Sequence, residues 1–180
     1  MQRRFLVIGA SIGAASAVII LLAHRWSTAS IFQASIAFML CCIAAHDAKT
    51  RRIENVTVLA VAGLRLYEMT LAAIAGGTGL ASALSYSLVG AAAVFAVLLA
   101  TVMIMERGTG SAGIGGGDVK LLAALGFCFG WESGLATVGL SCLLMVLHQM
   151  ISRHARPSRS ITCAFAPYIA VASMFTMLVR

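Results

Sequence analysis

Apolar runs long enough to cross a lipid bilayer constrain this chain more than any other feature. Residues 5–23 (FLVIGASIGAASAVIILLA), 29–46, 57–75, 82–105, 134–151 and 161–179 each approach the ~20 residues that a helix needs to cover a ~30 Å hydrocarbon core. A backbone in lipid must satisfy its own polar groups, so such runs fold as helices. One further run, 118–129, rises only about 18 Å and is expected to be short, partly re-entrant or met by local bilayer thinning. The expected fold class is all-α, a polytopic membrane helix bundle of six to seven transmembrane helices forming a single domain over 1–180. Arg3 and Arg4 before the first run look like the start of a signal peptide, but the run exceeds a typical signal core. It is read as a retained extra helix within 1–28.

Charge supports the membrane reading and orients it. The chain is 61% hydrophobic and 11% charged, outside the range of soluble domains. A net charge of +7 would suggest nucleic acid in a soluble protein. Here the cations sit in short loops between apolar runs, so lipid and not nucleic acid is the expected partner. With the first residues cytoplasmic, that side carries Arg3, Arg4, Lys49, Arg51, Arg52, Arg107, Lys120, Arg153, Arg156 and Arg159, and the far side only Arg25 and Arg180. Cys41, Cys42, Cys128, Cys142 and Cys163 all fall in apolar runs with no CxxC, which fits small apolar helix residues and neither zinc nor a disulfide framework.

Against this background the chain has only two aspartates, Asp47 and Asp118. An ionisable group at membrane depth costs about 2.5–3.5 kcal/mol even on lenient scales, so it marks a candidate site. Asp47 follows the second run, and Asp118 opens the short one after a glycine-rich loop. Two helices, out and back, separate them, so both are expected at the cytoplasmic face. Two neighbouring carboxyl groups do not both ionise easily, so one holds a proton. The anion can then activate a water while the acid protonates a scissile carbonyl or departing amine, and a close pair titrates as a unit. No metal or cofactor is called for. Gly115 and Gly117 leave room for an extended substrate backbone. Lys120 suits an interfacial anchor whose ammonium snorkels, or a substrate contact.

Blander roles compete at each position. Asp118 before a helical run also fits an N-cap. Arg65 and Glu68, three apart in mid-span, read as an internal ion pair, with a substrate contact as the alternative. His46 adjoins Asp47 but points elsewhere on a helix, and His148 reads as an interfacial polar residue. GTGSAG at 108–113 matches GxGxxG without the strand that a dinucleotide site requires, and Ser111 has no positioned base. Pro167 is expected to bend the last helix.

Gly115-Gly116-Gly117-Asp118, continued as VKLLAALG, looks like the second catalytic motif of the type IV prepilin peptidase family, the GxGD aspartyl intramembrane proteases. Asp47-Ala-Lys-Thr-Arg-Arg-Ile-Glu-Asn is similar to the first motif, an aspartate before a basic turn ending in I-P-N, with Glu54 in place of the proline. Phe165-Ala-Pro-Tyr-Ile-Ala170 resembles a late F-x-P-Y-I-A pattern. The three matches keep the family's order over about 40–175. The resemblance implies a catalytic bundle over 29–180 with Asp47 and Asp118 as the catalytic pair; the placement of Gly115, Gly117 and Lys120 towards substrate rests on the chemistry of those residues alone. It implies removal of the basic leader of prepilin or pseudopilin subunits at the cytoplasmic side of a bacterial inner membrane. Larger members carry a cytosolic CxxC insertion linked to N-methylation. This chain resembles the short, cleavage-only form of tight-adherence (Flp/Tad) pili, and archaeal preflagellin peptidases are short as well. A proton- or sodium-coupled transporter using the same acids, or a non-catalytic pilus-assembly scaffold, are the alternatives; the resemblance leaves oligomeric state open.

Overall fold

The computed structural model describes residues 2–23, 28–77, 79–109, 115–155 and 164–179. Residues 110–114 of the glycine-rich loop, Arg25, Arg156, Arg159, Arg180 and Cys163 lie outside them. The described chain is helical, with no strand: α1 (Gln2–Ala23), α2 (Thr28–Thr50), α3 (Asn55–Ile74), α4 (Leu80–Thr109), α5 (Gly116–Ala155) and α6 (Ala166–Val179). Among the described residues four helices are long and apolar enough to cross a membrane, within α2, α3, α4 and α5. The architecture is an all-α polytopic membrane protein, as the apolar runs require.

Seven expected segments become six helices because 118–129 and 134–151 both lie in α5. That helix is not straight. Gly130 breaks it with φ 82° and ψ 177°, a conformation open essentially to glycine alone. A Cβ on Gly134 would lie 2.9 Å from the Cα of Gly126, whereas eight residues of unbroken helix separate two positions by about 12 Å. The chain therefore turns back at Gly130, in the gap between the runs 118–129 and 134–151 and just before the exposed Trp131 and Glu132.

Two compact units make up the chain, one formed by 1–52 with 136–180 and the other by 53–135. In the first, α1 and α6 both pack on α2. Gly9 and Gly13 of α1 carry no side chain, and a Cβ there would meet Ala45 at 2.4 Å and Phe38 at 3.0 Å. Helices in lipid gain no hydrophobic advantage from associating, so close backbone approach and dispersion hold them together, and small residues permit it. Ala34, Ala37, Leu40, Cys41 and Ala44 repeat every three or four residues as the buried stripe of α2. The late part of α5 is tied to α6 twice, by Thr137 Oγ1 to Thr176 Oγ1 at 2.9 Å and by Tyr168 to His148.

Pro167 does not bend α6. It sits in the first turn, where an N–H has no intrahelical partner and the fixed φ of proline suits the helix start. Tyr168 N–H and Ile169 N–H instead close that turn on Phe165 O, at 3.0 and 3.3 Å.

The second unit contains α3, α4 and the start of α5. Within it the reversal of α5 packs closely against one face of α4. A Cβ on Gly90 would lie 2.3 Å from Gly126 O and 2.8 Å from the backbone of Gly130. Tyr86 and Val94, one turn to either side, cover Gly130 and Gly126. On α3, Arg65 Nη1 meets Glu68 Oε2 at 2.7 Å, the ion pair their spacing predicts. Each side chain keeps about a fifth of its surface exposed.

Candidate active site

Asp47 lies in the last turn of α2. That helix ends because Arg51 takes φ 52°, a left-handed conformation that stops helical continuation, and Arg51 N–H closes on Asp47 O at 2.8 Å. The Asp47 side chain is buried, with 5% of the residue exposed. Its Oδ2 accepts the N–H of Ala166 at 3.3 Å. Ala166 opens α6, and the first N–H groups of a helix find no partner within it. Here one of them meets a carboxylate, an arrangement the helix dipole favours. His46 engages its own helix, its Nδ1 lying 3.2 Å from Thr50 Oγ1. Beside this turn is an apolar cavity of about 280 Å³, lined among others by Gly9, Ile12, Cys41, Ala44, Ala48 and Pro167.

The other expected site residues gather in the second unit, at the start of α5. Val119 N–H bonds to Gly115 O at 3.2 Å, so Gly115 stands just ahead of the helix, with Asp118 half-buried in its first turn. A Cβ on Gly115 would lie 3.1 Å from Asp118 Oδ2. The carboxyl group thus lies close over Gly115, and a side chain there would have to displace it by a few tenths of an ångström. Gly117 is pressed on the chain ahead of α3, where a Cβ would meet Ile53 Cβ at 3.1 Å. Lys120 is exposed, and its Nζ donates to Asn55 Oδ1 at 3.1 Å. Gly115, Gly117, Asp118 and Lys120 are brought together; Asp47 belongs to the first unit.

Two participants were not legible in the sequence. Asn55 pairs with a lysine 65 residues away, and no local pattern announces such a pair. The Ala166 donor is a backbone group, identical in every residue but proline, so no side chain announces it. Among the described residues no group of three or more His, Cys, Asp or Glu is placed to hold a metal ion.

The pattern of the type IV leader peptidase family matches residues 34–150. The chain is 33% identical over 133 residues to a prepilin leader peptidase/N-methyltransferase of Pseudomonas aeruginosa, covering 73% of this chain and 43% of that protein. It is 32% identical over 109 residues to one from Stutzerimonas stutzeri (60% and 38%), and 35% identical over 95 residues to one from Aeromonas hydrophila (51% and 32%). The chain thus matches less than half the length of these relatives. No solved structure matches it. Motifs, membrane helices and a match over most of its length agree, and the chain belongs to the type IV leader peptidase family.

Proposed function

We propose that this chain is a membrane-embedded aspartic endopeptidase that removes the basic leader of prepilin-like subunits, with Asp47 and Asp118 as its acid/base pair. The family match carries this reading, since both aspartates fall inside the matched 34–150 segment and each stands at a helix end. One carboxylate takes a proton from water, and the hydroxide adds to the scissile carbonyl carbon. The other carboxyl group protonates the carbonyl oxygen. Collapse of the tetrahedral intermediate breaks the C–N bond, and the departing amine takes a proton from the pair.

Chain features suit the substrate as well as the chemistry. The excess of Lys and Arg on one side supports a cytoplasmic site in a bacterial inner membrane. The apolar cavity lined by Ala44 and Ala48, on the same helix turn as Asp47, suits apolar residues of a substrate. Lys120, held by Asn55, is available to a substrate carbonyl.

The test is cleavage of a candidate prepilin by the chain purified in detergent. Wild type should shorten it. Asp47→Asn and Asp118→Asn should each lower the rate by at least ~100-fold, the usual scale of general acid/base catalysis, with unfolding midpoints unchanged. Trimming at the wild-type rate by either variant removes that aspartate from the mechanism. Ion flux that depends on the two acids, without cleavage, would replace the peptidase reading with a transporter.

A further inference from the structure

The carboxylate of Asp47 is oriented by a group that has no side chain of its own to hold it in place. Its Oδ2 accepts from Ala166 N–H at 3.3 Å, a long bond that a small shift of the α6 start would break. Something must therefore fix the first turn of α6. Tyr168 lies in that turn, its N–H bonded to Phe165 O at 3.0 Å. Its hydroxyl meets Nδ1 of His148 on α5, with the two rings 5.7 Å apart and inclined at 37°. Between Ala166 and Tyr168 stands Pro167, whose ring locks φ, so the three residues move as one stiff piece. All of these residues belong to the same compact unit.

We infer that Tyr168 and His148 are positioning residues for Asp47, holding the α6 start so that the Ala166 amide stays aimed at the carboxylate. Neither touches the reacting atoms; both act through the backbone of the first turn. The inference rests on the peptidase reading for its kinetic consequence and on geometry alone for its structural one.

The same two helices supply an internal control. Thr137 and Thr176 join α5 to α6 at 2.9 Å, eight residues along α6 from Tyr168. That is about 12 Å further from the donor than the Tyr168 contact. Thr176→Val removes a hydrogen bond of the same kind between the same helices, but away from Asp47.

Two measurements test the pair. In prepilin cleavage, Tyr168→Phe and His148→Ala each lower kcat about three- to tenfold at unchanged KM, the scale of one lost side-chain hydrogen bond. The double variant is no worse than either single one. His148→Asn, which sets an amide oxygen near the Nδ1 position, recovers most of the rate. Thr176→Val lowers the unfolding midpoint and leaves kcat alone. The second measurement needs no substrate: the infrared carboxyl bands of Asp47, isolated as wild type minus Asp47→Asn, shift in Tyr168→Phe and stay put in Thr176→Val. Unshifted bands in Tyr168→Phe overturn the inference whether or not any leader is cut, and so does a kcat that follows stability equally in Thr176→Val. Shifted bands in a chain that cuts no prepilin uphold the positioning role and sink the peptidase reading.

Discussion

Gly90→Ala puts the packing of α4 against the α5 reversal to a quantitative test. The new methyl carbon would start 2.3 Å from Gly126 O and 2.8 Å from the Cα and C of Gly130, all backbone atoms with no rotamer to yield. Ordinary contact begins near 3.4 Å, so the helices must separate by about 1 Å (3.4 less 2.3). A gap of that size forfeits a quarter to a half of each dispersion contact across it, including those of Tyr86 and Val94. Overpacking of this kind costs about 1–3 kcal/mol, against a gain of about 0.5–1 from replacing glycine inside a helix. The net loss expected is about 1–2 kcal/mol. Gly63→Ala on α3 isolates the opposing term, because nothing lies within 4 Å of a Cβ there. It should stabilise by the helix term alone. Thermal unfolding in one detergent reads both: for a chain of this length 1 kcal/mol moves Tm by roughly 2–4 °C. Gly90→Ala should fall by about 2–8 °C while Gly63→Ala rises by up to ~4 °C. Equal midpoints for the two variants would refute the backbone-on-backbone contact.

Glu68→Gln strands the Arg65 guanidinium in mid-span and should cost about 2–3 kcal/mol, below the 3–5 of a fully buried pair because both side chains keep some exposure. The double variant Arg65→Leu/Glu68→Leu should recover most of that loss in denaturant unfolding; a double variant weaker than the single one would show the charges are needed for more than each other. Glu54→Pro should stabilise by about 0.4–1 kcal/mol, since Glu54 already holds φ −76° and ψ 137° and its N–H donates no hydrogen bond among the described residues. A lower Tm for Glu54→Pro would mean that the backbone there differs from a proline's.

Much of this was readable from residue order because lipid allows so few folds. Apolar length found each described helix but split α5 into the runs 118–129 and 134–151, and the gap between those runs is where Gly130 breaks the helix. Asp47 and Asp118 were found as the rare charges at helix ends, and Arg65 with Glu68 as a pair by their spacing. What escaped was non-local or lacked a side chain. Pro167 was misjudged because a proline gives no sign of whether it lies inside a helix or at its start; the answer depends on where α6 begins, and Phe165 O sets that by closing the first turn. The glycines beside Asp118 drew attention as substrate space, while Gly126, Gly130 and Gly134, spaced four apart, carried a helix-contact signal that passed unused. Glu54 stands where the family motif has proline, yet its backbone keeps a proline-like conformation, so the substitution changes charge more than shape.

The bond from position 166 to Asp47 has a consequence for genetics. Scanning mutagenesis rewrites side chains, and every ordinary replacement of Ala166 but proline would retain the donor. Ala166 is 1% exposed, so packing limits which side chains fit there, but none of those that fit would report on the bond, and an alanine scan stays silent at a residue that is already alanine. Only chemistry that edits the main chain itself, such as an amide-to-ester exchange at 166, would expose it.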